Sequence, residues 1–267
     1  MSHQPDADGF IFVKGKGRRR QSAKSPSNAK QSSGGFYSTT SKPTRKATLL
    51  PDLTIERQIS EITAKKTRLL KSKFYASLDQ VIDAITVFAP EEIVCYGIGS
   101  LFAGISQWQL ALVLALNDTL RAPIHAFDPV ATDDDDLTML RRFSVSPIAK
   151  DEQAKRTATK RTLFYMPHCE QFLYENTMSA NWSPDQLGRI MIIGNHFSRY
   201  QAAQTETQFA EASPHLERVL PHLSVIDMPS EALLGLRHCP YAFSDTCVQH
   251  VHSSEAAKID FKVTQIN

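Results

Sequence analysis

The sequence predicts an α/β fold: a Rossmann-like three-layer domain with a mainly parallel sheet, preceded by N-terminal helices and a disordered basic arm. Two observations carry this. From residue 91 onward, short apolar runs of strand length alternate with segments whose apolar residues recur at helical spacing. The residues that follow those runs are glycines or polar side chains, as at the carboxyl edge of a parallel sheet, where ligands bind.

Residues 1–50 form the arm. They are rich in Ser, Lys, Arg, Gly and Pro, and their few large apolar side chains cannot offset the entropy lost on ordering. Phe10–Val13 is a short apolar patch, and Lys14–Arg20 is a basic cluster that reads either as a solvated tail or as a contact for nucleic acid or nuclear import. Residues 51–90 read as a helical lead-in packed on the domain. Ile55, Ile59, Ile62, Leu69 and Phe74 carry one apolar stripe to about Tyr75. Ser77, with Gln80 three residues on, offers a cap for a second stripe, Val81, Ile82, Ile85 and Phe88, which Pro90 ends.

The domain proper spans 91–267. Six strands are expected, at Ile93–Tyr96, Ile124–Phe127, Phe143–Val145, Leu163–Met166, Ile190–Ile193 and Leu223–Ile226. Helices are expected at Leu101–Leu120, which is apolar almost all round, and at Asp136–Arg142 and Glu170–Met178.

Composition narrows the classes. With 267 residues and 42% hydrophobic content, the chain suits one domain with appendages. Apolar runs such as Ala111–Leu116 fall far short of the ~20 residues of a membrane span, so no membrane partner is expected. Cys95, Cys169, Cys239 and Cys247 form no CxxC pair and read as reduced thiols of a protein inside the cell. Residues 1–73 hold 16 Lys and Arg against 5 Asp and Glu, and the remainder holds 14 against 23. The acidic body disfavours nucleic-acid binding by the folded domain.

The chemistry concentrates after the strands. "EEIVCYGIGS" leaves the first strand through Gly97, Gly99 and Ser100; Asp128 follows the second strand, His168 and Cys169 the fourth, Asn195 and His196 the fifth. A dinucleotide fingerprint needs a third glycine where this chain has Phe102. The glycines still allow close backbone approach, Ser100 can cap the helix that follows, and Asp128 stands where a ribose-binding carboxylate would, as in dinucleotide or adenosylmethionine sites. Two readings therefore stay open: a structural turn, or a site for a nucleotide-like ligand.

His168 offers an imidazole that exchanges protons near neutrality, and Cys169 opens a helix, where a thiol can become nucleophilic; packing or capping is the competing role. His238, Cys239, Cys247, His250 and His252 do not have the spacing of a closed zinc site, so no metal is expected. Asp133–Asp136 reads as a solvated loop that starts a helix, and Trp182 as a side chain packed on the core. Cys239-Pro240 is a short element of the kind seen in some haem-responsive proteins. Residue chemistry alone identifies neither a cofactor nor a reaction.

"VCYGIGS", "YMPHCEQFLYEN", "SANWSPDQLGRIMIIGNHF" and "FSDTCVQHV", in this order, resemble the SRR-like (sensitivity to red light reduced) family, and "DGFIFVKGKGRRR" resembles its basic N-terminal entry. Gly97, Gly99, Asp128, His168, Cys169, Asn181, Trp182, Gly194, Asn195, Asp245 and Thr246 match the family pattern; Ser100, Glu170 and His196 depart from it. The resemblance implies a regulatory role in circadian clock input or haem biosynthesis, cytoplasmic and nuclear locations, and protein partners it does not identify. An enzyme acting on a nucleotide-like or adenosylmethionine-type molecule is the alternative, haem another candidate ligand, and an acidic partner for the basic arm a third reading.

Overall fold

The computed structural model describes residues 51–229 and 240–262. The expected arm, with Phe10–Val13 and Lys14–Arg20, lies outside the described residues, as do His238 and Cys239.

The described part of the chain opens with α1 (Pro51–Leu70), α2 (Lys73–Ala76) and α3 (Asp79–Phe88). It continues through β1 (Glu92–Tyr96), α4 (Gly104–Leu120), β2 (Ile124–Phe127), α5 (Asp134–Arg142), β3 (Val145–Pro147), β4 (Thr162–Met166), α6 (Gln171–Ala180) and α7 (Pro184–Leu187). Then come β5 (Ile190–Asn195), α8 (Phe197–Ala202), α9 (Glu206–Ala212), α10 (Pro214–Val219), β6 (Ser224–Asp227), a 3-10 turn at Pro240–Ala242, β7 (Thr246–His250) and α11 (Ser253–Ala256). The sheet order is β3-β2-β1-β4-β5-β7-β6. Neighbours from β3 to β5 pair in parallel, while β7 runs antiparallel to both β5 and β6.

Side chains alternate across the central strands, and each face has its own core. Ile93, Cys95, Leu163, Tyr165, Met191 and Ile193 join Ile62, Leu69 and Ile85 of the first helices and Trp108 and Leu112 of α4. Val94, Tyr96, Phe164, Met166, Ile190 and Ile192 face Tyr174, Phe197, Phe209 and Leu216. These are the three layers expected for a buried parallel sheet.

Several boundaries differ from the sequence reading for local reasons. Ser77 closes α2, and α3 starts at Asp79 behind Leu78 with no side-chain cap. The long helix begins at Gly104 after Ala103, so Ser100 does not cap it; the Leu101 N–H is instead given to Asp136 Oδ1 at 2.6 Å. The acid run is not all solvated: Asp133 caps α5 by accepting the Asp136 N–H at 2.9 Å, and Asp136 is 0% exposed. The seventh strand was not expected, because "TCVQH" mixes polar and apolar residues, yet Thr246 and Gln249 are buried between β5 and β6. Among the described residues, no helix is long and apolar enough to cross a membrane.

Candidate functional site

β1 lies between β2 and β4, so the chain reverses its direction of travel across the sheet at the carboxyl ends of β1 and β4. This is the switch point at which such sheets bind ligands. The glycine loop leaves β1 here. Gly97 has φ +76° and Gly99 φ +80°, a region that side chains disfavour. Space is also short: a Cβ on Gly97 would stand 2.7 Å from Cys169 Sγ, and one on Gly99 2.6 Å from Ser106 Oγ.

Two carboxylates hold the loop from the β2 side. Asp128 accepts the Gly99 N–H through Oδ2 and the Val130 N–H through Oδ1, each at 2.8 Å. Asp136 holds the amide two residues beyond Gly99, that of Leu101. Its Oδ2 lacks a well-formed hydrogen bond, the Ser100 hydroxyl lies beside the carboxyl group, and burial pushes its pKa up. Ser100 itself is half-buried and accepts the Phe102 N–H at 3.4 Å.

From the β4 side, His168 stands at φ +56°, and its N–H donates to Asn195 Oδ1 at 2.9 Å. His168 Nε2 lies 3.2 Å from the Ala242 carbonyl, a contact that puts a proton on this nitrogen. Cys169 is 6% exposed; its thiol donates to the Tyr96 carbonyl at 3.4 Å, and burial pushes its pKa up to about 12, so it stays protonated at neutral pH. Asn195 is fixed at both ends. Its N–H donates to Tyr174 Oη and its Nδ2 to Tyr200 Oη, both at 2.9 Å, while the Tyr200 hydroxyl donates to the Cys169 carbonyl at 2.7 Å and the Tyr174 hydroxyl to that of Met166.

The structure thus brings Gly97, His168, Cys169 and Asn195 into one contiguous network, with Gly99, Ser100 and Asp128 beside it. Thr246, 2% exposed, pairs with Asn195 in the β5–β7 register, and Asp245, at φ +60°, forms an ion pair with Arg199. Asn181 and Trp182 lie elsewhere, just beyond the far end of α6. Asn181, 0% exposed, accepts the Ala158 N–H at 2.7 Å and donates to the carbonyls of Arg156 and Thr177. Trp182 Nε1 donates to the Phe261 carbonyl at 3.1 Å, and its ring meets those of His215 and Phe261.

Tyr174, Tyr200 and Asp136 belong to this edge although their residue types alone did not single them out. Tyr174 was legible only as part of "FLYEN", since a hydroxyl bridging two strand ends has no spacing signature. Among the described residues, no group of three or more His, Cys, Asp or Glu side chains is arranged to hold a metal ion. Cys95, Cys169 and Cys247 are free and buried.

Known proteins place the chain. The family model of the SRR1 domain matches residues 77–250, and this span contains the whole edge network. Protein SENSITIVITY TO RED LIGHT REDUCED 1 of Arabidopsis thaliana is 36% identical over 159 residues, covering 54% of this chain and 57% of that protein. An SRR1-like protein of Mus musculus is 33% identical over 132 residues, covering 47% and 52%, and one of Drosophila melanogaster is 27% identical over 206 residues, covering 69% and 73%. The chain spans a little over half the length of the first two relatives. With the SRR1 model matched over most of its length, the chain belongs to the SRR1 domain family.

Proposed function

We propose that this chain is a regulatory protein of the cytoplasm and nucleus, acting in circadian clock input, in the control of haem biosynthesis or in both, and that its glycine loop holds a small nucleotide-like molecule as a signal. The regulatory part draws on the family, one of whose members carries red-light sensitivity in its name. One observation carries the ligand part: the glycine loop stands half-buried at the switch point, while the reactive groups beside it are committed to internal hydrogen bonds. A protonated thiol and an imidazole engaged by a carbonyl suit holding a ligand better than transforming one. Asp128 keeps acceptor capacity beyond its two backbone donors, enough for a ligand hydroxyl.

A second reading, an enzyme of adenosylmethionine-type substrates, is favoured by the sheet plan. A single antiparallel strand set between β5 and β6 is also the plan of adenosylmethionine-dependent methyltransferases, an analogy of fold alone.

The test is a thermal-shift series on the full chain with adenosylmethionine, adenine and nicotinamide nucleotides, and haem, because a ligand that binds only the folded state raises the melting temperature. We expect a nucleotide-like compound to do so, and Asp128→Asn, which keeps an acceptor for Gly99, to weaken the effect. If no compound at millimolar concentration moves the transition, the loop is a structural turn. Methyl transfer from bound adenosylmethionine would replace the signal reading with the enzymatic one. The cellular part is tested by deleting the chain and following a clock reporter and haem content; normal rhythm and normal haem together would remove it.

A further inference from the structure

A second concave site lies at the opposite, amino-terminal edge of the sheet. Glu91 precedes β1, Thr159, Lys160 and Arg161 precede β4, and Arg189 precedes β5; with Asp185 and Ser253 these line a cleft of about 510 Å³. This volume is that of a small-molecule site, roughly 300–1,000 Å³. Its lining is polar apart from Pro184 and Gly188, so an apolar peptide would find little to bury there.

The cations are positioned from within. Lys160 Nζ lies 3.3 Å from Oε2 of Glu92, a carboxylate-bearing residue 7% exposed that also accepts from the Thr162 hydroxyl at 2.9 Å. Arg161 Nε donates to the Ala89 carbonyl at 2.8 Å, and its Nη2 lies 3.9 Å from Glu91 Oε2. Arg189 is exposed and makes no ion pair among the described residues, so its planar fork of donors is free for an oxyanion. Two pre-held cations beside one uncommitted guanidinium are suited to a phosphate group, and Glu91 and Asp185 on the same walls are suited to accept from ligand hydroxyls.

We propose that this cleft binds a phosphate monoester of a hydroxyl-bearing small molecule, at a site separate from the glycine loop. Arg189 is its main phosphate contact, Lys160 and Arg161 assist, and Glu91 and Asp185 take the hydroxyls.

The test uses the full chain and two probes, inorganic phosphate and ribose 5-phosphate, followed by NMR titration of the backbone amides. Saturable shifts should appear at 159–161 and 185–189, with ribose 5-phosphate binding more tightly than phosphate. Arg189→Gln should weaken both probes by about tenfold, the usual scale for one charge-assisted contact, and Asp185→Asn should reduce the advantage of ribose 5-phosphate. Both positions are exposed, so the variants should fold, which circular dichroism checks. Absence of saturable shifts, shifts confined to the glycine loop, or affinities unchanged by Arg189→Gln would overturn the proposal. Equal affinity for the two probes would overturn the role of the carboxylates.

Discussion

The carboxylate of Asp128 accepts the backbone N–H of Gly99 at 2.8 Å, so the end of β2 holds the loop that leaves β1. Its other oxygen holds the Val130 N–H. Asp128→Ala leaves both donors without this acceptor and should cost about 1–3 kcal/mol, while Asp128→Asn keeps one acceptor and should cost less. Urea unfolding measures both. Equal midpoints for Asp128→Ala and the unchanged chain would show that water replaces the latch without loss.

Gly97 should be intolerant of a side chain for two separable reasons. Its φ of +76° opposes any Cβ, at about 1–2 kcal/mol, and a Cβ would also press on Cys169 Sγ at 2.7 Å. Cys169→Ala removes that sulfur. The double variant Gly97→Ala/Cys169→Ala should therefore be more stable than the sum of the single changes predicts, by about 1 kcal/mol. Strict additivity would mean that backbone strain is the whole cost.

The central sheet was readable because β1, β4 and β5 are buried on both faces and so appear as continuous apolar runs. β7 was not, because its burial is achieved partly by hydrogen bonding: Gln249 accepts the Phe197 N–H through Oε1 and donates to the Asn195 carbonyl, and a hydropathy pattern sees only a polar residue. The same limit applies to the edge network. Gly97, Gly99 and Asp128 were legible from their place after strands. The burial of Asp136 was not, since it follows from a loop amide, Leu101, that comes 35 residues earlier in the chain. Helix starts shifted as well: local capping rules favoured Ser77 and Ser100, but Ser77 is engaged in closing α2, and Ser100 lies beside the Asp136 carboxyl group.

Asn181 is a motif position whose geometry is that of an internal staple. Its side chain satisfies one buried N–H and two carbonyls, joining α6 to the segment before β4. Asn181→Ala would strand those groups and should cost about 2–4 kcal/mol. Asn181→Asp keeps the acceptor but loses the donor, and should also destabilise. Hydrogen exchange should speed up first at Ala158; protection there equal to that of the unchanged chain would argue against the staple.

Acid sensitivity should come in part from His250. This half-buried imidazole has its Nε2 3.1 Å from that of His252, and burial, followed by the charge of His252, pushes its pKa down to about 4. In the unfolded chain a histidine titrates near ~6.5. Between these values the unfolded state binds a proton that the folded state refuses, so stability falls as pH drops from about 6.5 to about 4 and levels off below. Asp136 acts with the opposite sign: its raised pKa means that the fold keeps a proton the unfolded chain releases, so its contribution declines as pH rises above the ordinary carboxylate range. Single variants separate the two contributions. His250→Gln should flatten the acid-side loss in urea midpoints measured from about pH 4 to 7, whereas Asp136→Asn should remove the decline that sets in above the ordinary carboxylate range. If His250→Gln leaves the slope of the unchanged chain intact, the proton responsible resides on another group.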